Sequence, residues 1–187
     1  MSLTASTHPT LLIITGLPAS GKTTLAQHLA RALGWPIIHK DDVKEILFET
    51  LGWKDLDWSR QLGVATIELL FHVIEMQLTA GVSCIAECNF KPDLFSARIR
   101  TIVSQTNARC VQVLCTCDGR VRLERFQARV RHPGHADGDV RPDAALLQQA
   151  ETLAPLDVGG RLIEIDTTDL ARVDYETVFR QVRASLD

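Results

Sequence analysis

Aromatic side chains are scarce in this 187-residue chain: six Phe, three Trp and one Tyr make up 5% of it. So few rings offer little to a platform on which successive bases of a nucleic-acid strand could stack. An excess of one charge sign is also missing. Twenty Lys and Arg against 23 Asp and Glu leave a net charge of −3, so no overall positive field draws the chain to nucleic acid or to an anionic membrane. A short oligonucleotide end entering a local site stays open. The longest apolar runs, such as residues 11–14, fall far short of the ~20 residues that span a bilayer, and residues 1–10 lack the basic start and apolar stretch of a secretory leader. A soluble, cytoplasmic protein with no membrane partner is expected. CxxC pairs are absent as well: Cys84, Cys88, Cys110, Cys115 and Cys117 stand singly in apolar surroundings, which reads as buried, reduced thiols. Cys115 and Cys117 would share one strand face without a second ligand pair, which speaks against zinc.

What is present suits a globular fold. Apolar residues make up 45% and charged residues 23% of the chain, and the length suits one domain spanning residues 1–187, with a loose tail over residues 1–9. Strand-like and helix-like segments alternate. Residues 11–14 (Leu-Leu-Ile-Ile) form an unbroken apolar run of the kind buried on both faces of a parallel sheet, ending at Gly16. Leu25, Leu29, Ala30 and Leu33 then recur at helical spacing up to Gly34. Further strands are predicted over residues 36–39, 82–86, 109–115 and 161–165, with helices over 43–50, 59–80, 92–105, 120–130 and 143–150 and one capped by Asp174. In the helix over 59–80 the apolar face is read as Leu62, Ala65, Thr66, Leu69, Val73, Met76 and Ala80. This alternation calls for an α/β fold with a five-stranded parallel sheet and helices on both faces. Ligands then sit beyond the carboxyl ends of the strands.

Three such ends carry chemistry. Directly after the first strand stands Gly16-Leu17-Pro18-Ala19-Ser20-Gly21-Lys22-Thr23, followed by Thr24, which fits GxxxxGK[ST] opening a helix. Glycines let successive amide N–H groups face inward, and the helix N-terminus adds partial positive charge, so the turn can cradle polyphosphate. Lys22 would reach the β and γ phosphates and Thr23 would ligate Mg²⁺, making ATP and Mg²⁺ the implied cofactors. Asp41 and Asp42 follow the second strand; Asp41 is the candidate base for an attacking hydroxyl, while either acid could instead cap the helix starting near Val43. Lys44, one turn on from Asp41, could hold an anionic part of an acceptor or stand solvated. Glu87 and Asn89 follow the third strand, where Glu87 could serve the metal's water shell or an acceptor hydroxyl and Asn89 could orient that acceptor.

A basic stretch comes next. Arg120, Arg122, Arg125, Arg129 and Arg131 precede a polar, turn-rich segment, so residues of about 120–141 read as an Arg-rich lid. Arg125 and Arg129 share a helix face suited to closing over transferring phosphate. His132 and His135 have metal-ligand residue types but no partner ligands in sequence, so lid or substrate contacts are expected of them. Thr167, in the run Asp166-Thr167-Thr168-Asp169 after the fifth strand, is a candidate to flank the adenine base, and a turn with a helix cap accounts for that run equally well.

Taken together, these residues resemble the P-loop kinases that phosphorylate small hydroxyl acceptors, in particular the phage-type polynucleotide 5′-kinase domain, chloramphenicol phosphotransferase and zeta-toxin-like proteins. The resemblance rests on residues 16–23, on Asp41-Asp42 and on Glu87-Cys88-Asn89-Phe90; the lid with Arg131-His132-Pro133-Gly134-His135 resembles that of bacterial AAA-type ATPase-like kinases. It implies a P-loop NTPase three-layer sandwich with strand order 2-3-1-4-5, Asp41 as general base, Lys22 and Thr23 as phosphate and metal ligands, and Arg125 or Arg129 as the lid arginine. Two departures leave the acceptor open: Lys44 stands where the polynucleotide kinase has an arginine for its substrate's phosphate, and Glu87 replaces an aspartate. A nucleotide-controlled ATPase or binding protein and a 5′-hydroxyl nucleic-acid end kinase are the alternatives. No NKxD base-reading motif is present, which disfavours a GTP switch.

Overall fold

The computed structural model describes residues 8–129, 132, 135 and 153–186. Five strands, β1 (Thr10–Gly16), β2 (Ile37–His39), β3 (Cys84–Glu87), β4 (Arg109–Thr116) and β5 (Arg161–Asp166), form one sheet in the order β2-β3-β1-β4-β5, every pair parallel. The helices are α1 (Lys22–Leu33), α2 (Lys40–Leu51), α3 (Leu56–Thr79), α4 (Pro92–Gln105), α5 (Gly119–Ala128) and α6 (Tyr175–Arg183). This is the expected P-loop NTPase-like α/β architecture. The expected helix over 143–150, and most of the turn-rich segment before it, lie outside the described residues.

Alternate residues of β1 feed opposite cores because successive strand side chains point to opposite faces. Leu11 and Ile13 pack with Leu70, Phe71 and Ile74 of α3 and Ile99 of α4. Leu12 and Ile14 pack with Leu25 and Leu29 of α1 and Val178 and Val182 of α6. Burial on both faces explains why β1 reads as an unbroken apolar run. Gly34 closes α1 in the left-handed conformation at φ 68°, its N–H donating to the Ala30 carbonyl, and Asp174 caps α6 by accepting from Thr177 N–H at 2.9 Å. All five cysteines are free and buried, and burial pushes the thiols of Cys84, Cys88, Cys110 and Cys115 up to about 12.

Two local expectations are corrected. The core-facing seam of α3 is Leu62, Thr66, Leu70, Ile74 and Leu78, with Phe71 beside it, whereas Leu69 and Met76 are 43% and 52% exposed. The apolar arc of the helix is wide, with Asp57, Gln61, Glu68, His72 and Glu75 on the remaining face, so spacing alone admitted two seams, and packing against β1 and β3 selected the one stepping by four. By length and composition α3 could also cross a membrane, and 33% of its most apolar stretch is buried, including the seam in the α/β core. The second correction concerns α2, which starts at Lys40 rather than near Val43. β2 runs into it without a loop; its N-cap is His39 with no side-chain cap bond, and Asp41 and Asp42 lie in the first turn. There they complement the positive end of the helix dipole instead of capping it.

Candidate active site

Strand order sets the site. β1 is central, Ile14 lies in register with Glu87 of β3, Gly16 with Cys115 of β4, and His39 of β2 with Glu87. The turn leaving β1 is therefore flanked by the ends of β3 and β4, one strand away from the start of α2.

That turn needs its glycines. A Cβ on Gly16 would lie 2.6 Å from both the Cys115 carbonyl oxygen and the Ser20 Oγ, and Gly21 at φ +82° would press one against Leu170. Ala19 itself sits at φ 63°, a left-handed backbone that costs a non-glycine residue on the order of 1 kcal/mol. The surroundings hold that shape. The buried Thr167 hydroxyl donates to carbonyl oxygens of Ser20 and Thr116, tying the turn to the ends of β4 and β5. Thr167 is fully buried, so its side chain supports the turn from behind. The Ser20 hydroxyl is also buried and makes no hydrogen bond among the described residues. A concave backbone kept clear by a missing Cβ, an unbonded buried hydroxyl and the start of α1 fit a polyphosphate. Thr23 and Thr24 are exposed on the first turn of α1, where the Thr23 hydroxyl suits an oxygen-seeking Mg²⁺.

A cavity of about 110 Å³ opens beside the turn, lined by Pro18, Lys22, Lys40, Asp41, Glu87, Cys88, Asn89, Phe126 and Arg129. Six of the candidate site residues read from the sequence thus converge: Pro18, Lys22, Asp41, Glu87, Asn89 and Arg129. Lys22 Nζ donates to the Leu17 carbonyl at 3.4 Å and lies 3.7 Å from Glu87 Oε1. Asp41 accepts from Lys40 Nζ at 3.1 Å. Arg129, just after α5, lies 4.1 Å over the Phe126 ring. Cys88 is no nucleophile here, since burial keeps its thiol protonated.

Other candidates stand elsewhere. Arg125 donates to the Thr167 and Thr168 carbonyls at 2.9 and 2.8 Å and thereby braces the segment after β5. Arg122 is buried, and Arg131 lies outside the described residues. Lys44 is neither in the cavity nor solvated: its ammonium donates to Ser59 Oγ at 3.0 Å and lies 5.1 Å over the Phe48 ring, joining α2 to α3. His132 stacks on Phe48 with ring centroids 5.1 Å apart, and His135 meets Glu45 Oε1 at 2.8 Å, so both bear on α2. No cluster of metal-ligating side chains exists among the described residues.

His39 is the residue that sequence reasoning missed. Its Nδ1 lies 2.9 Å from Glu87 Oε2, both side chains buried, and that hydrogen bond raises the imidazole pKa above 6.5, with the charges of Glu87, Asp42 and Asp41 adding to it and burial opposing. Folding thus favours the imidazolium. Its contribution to stability is complete below about pH 6.5 and is lost as pH rises through the raised folded value. In thermal unfolding followed against pH, the wild type should lose stability over that rise, and His39→Asn, which cannot titrate, should lose distinctly less.

Comparison with known proteins agrees with this fold. A candidate kinase of Chloroflexus aurantiacus is 38% identical and superposes with a TM-score of 0.92, covering 96% of this chain and 100% of its own. The APS kinase of Mycobacterium tuberculosis, solved with AMPPNP and APS, shares the fold alone, with a TM-score of 0.58 at 16% identity over 96% of this chain and 97% of its own. An uncharacterised protein of Mycobacterium tuberculosis is 27% identical over 159 residues, 81% of this chain; the chain spans only 31% of that curated relative's length. Residues 11–156 match the model of the AAA domain, and by that match over most of its length, together with the glycine turn after β1, the chain belongs to the P-loop AAA-domain family.

Proposed function

We propose that this chain is a kinase that moves the γ-phosphoryl group of Mg-ATP to a hydroxyl group of a small-molecule acceptor. The observation that carries this reading is the cavity in which a carboxylate, Asp41, faces the same space as the phosphate-turn lysine, Lys22, with Arg129 on its wall. Hydrolysis alone needs only a positioned water; a carboxylate on the acceptor side of a walled cavity suits an alcohol.

The residues divide the work. Backbone N–H groups of residues 16–22 and the start of α1 bind the β and γ phosphates, with Lys22 reaching the same oxygens. Thr23 would hold Mg²⁺, which neutralises phosphate charge when bound. Asp41 accepts the proton of the acceptor hydroxyl as its oxygen bonds to the γ phosphorus, the bond from that phosphorus to the bridging oxygen breaks, and ADP leaves. Arg129 stabilises the negative charge spread over the transferring group, and Asn89 orients the acceptor. Kinases among the structural neighbours support this reading.

The test is incubation with labelled ATP and a panel of hydroxyl metabolites, read by mass spectrometry. The expected result is a phosphorylated alcohol and ADP release that rises with that acceptor. ADP release indifferent to every acceptor would favour an ATPase, and label on a 5′-hydroxyl oligonucleotide alone would favour an end kinase.

A further inference from the structure

Glu87 stands between two cationic groups, and it is not shared equally. Its Oε2 lies 2.9 Å from His39 Nδ1, a full hydrogen bond, while its Oε1 lies 3.7 Å from Lys22 Nζ, outside hydrogen-bond range. Glu87 is 4% exposed, so it depends on these neighbours rather than on water. A carboxylate accepts only, so the His39 nitrogen facing it carries the proton and donates. The other contact of Lys22 is also long, 3.4 Å to the Leu17 carbonyl. The lysine is thus loosely held, and the carboxylate that could hold it tightly is drawn to the far side.

We propose that His39 is a positioning residue: by binding Glu87 it keeps that carboxylate from closing on Lys22 and so leaves the lysine able to move onto the phosphates of a bound nucleotide. The proposal rests on the kinase reading only through nucleotide binding and needs no acceptor. The fold enforces the arrangement. His39 ends β2 in register with Glu87 at the end of β3, and β1, which delivers Lys22 through the turn, pairs with the other side of β3. The same strand order that assembles the phosphate cradle therefore brings an acid within reach of its lysine, and the neighbouring strand supplies the histidine that occupies it.

Loss of His39 leaves Glu87 buried with Lys22 as the nearest cation among those described here. The carboxylate then closes on the lysine to form a short ion pair, and a nucleotide must break that pair to recruit Lys22. A hydrogen bond to a charged group contributes enough that the nucleotide dissociation constant should rise roughly 10- to 100-fold in His39→Ala. The rise should be reversed by removing the competing charge. In His39→Ala/Glu87→Gln, nucleotide affinity should return to within about threefold of the Glu87→Gln single variant. His39→Asn, whose amide can donate from near the Nδ1 position, should stay within about threefold of wild type.

The experiment is calorimetric titration of the full chain with Mg-AMPPNP, without acceptor, for wild type and these four variants. Recovery in the double variant supports the proposal, since a packing defect would not be repaired by a second change in the buried pair. Affinity in the double variant as weak as in His39→Ala overturns it. So does binding by His39→Ala within twofold of wild type, or binding by His39→Asn as weak as by His39→Ala. If His39→Ala fails to fold, the comparison of the double variant with Glu87→Gln, and of His39→Asn with wild type, decides in the same sense. A wild-type chain that takes up no nucleotide would instead overturn the kinase reading.

Discussion

Asp41→Asn is expected to lower the rate of phosphoryl transfer by about 10²- to 10⁴-fold, the usual effect of a general base on proton transfer. The substitution keeps the side chain's size and its place in the first turn of α2, where the carboxylate accepts from Lys40 and looks into the cavity beside Lys22. It removes the carboxylate that can accept a proton and, with its charge, the ion pair to Lys40. On the proposed function the nucleotide dissociation constant should change little, because that reading has the turn after β1 and the start of α1 bind the phosphates, and Asp41 belongs to α2. The loss should therefore fall on kcat, the signature of an interaction made in the transition state. Asp42→Asn is the control. Asp42 shares the first turn but is exposed and does not line the cavity, so its effect should stay within severalfold. A change of less than threefold in kcat for Asp41→Asn, or an equal loss in both variants, would remove Asp41 from the reaction.

The architecture was largely legible in the sequence because its signals are local. The unbroken Leu11-Leu12-Ile13-Ile14 run, the glycine turn and Gly34 each announce a boundary through their own conformational chemistry, and Pro92 opens α4 as read. The seam of α3 was not legible, since Leu69 and Met76 fit an apolar spacing as well as Leu70 and Ile74 do, and only contact with the sheet separates them. The site shows the same division. Lys22, Asp41, Glu87, Asn89 and Arg129, which line one cavity, could be picked out because each ends a strand or belongs to a recognisable run. His39 was missed because its role comes from pairing across β2 and β3, 48 residues apart in sequence. The direction of the Thr167 and Lys44 side chains was not legible for a related reason: a polar side chain at a strand end or on the second turn of a helix can face the ligand or the protein, and spacing does not say which. Both turned inward, Thr167 onto the glycine turn and Lys44 onto Ser59.

The two arginines of α5 and its end separate into different roles, and this gives the other large expected effect. Arg129→Ala should lower kcat by about 10³- to 10⁵-fold, the range for an arginine that stabilises charge on a transferring phosphoryl group. Arg129 lines the same cavity as Asp41 and stacks 4.1 Å over Phe126, which directs the guanidinium without competing for its hydrogen bonds. Arg129→Lys should recover only a small part of the loss, because a lysine ammonium cannot present a planar fork of donors to two phosphate oxygens. Phe126→Leu should cost about two- to fivefold, the equivalent of an exposed cation–π contact of roughly 0.5–1 kcal/mol. Arg125→Ala should behave differently. Its guanidinium is engaged by the Thr167 and Thr168 carbonyls, so its loss loosens the segment behind the phosphate turn and should raise the KM for ATP more than it lowers kcat. Steady-state kinetics of the four variants, with ATP varied at saturating acceptor, would distinguish these roles. A larger fall in kcat for Arg125→Ala than for Arg129→Ala would reverse the assignment and make the arginine on the carbonyls the one that meets the phosphate.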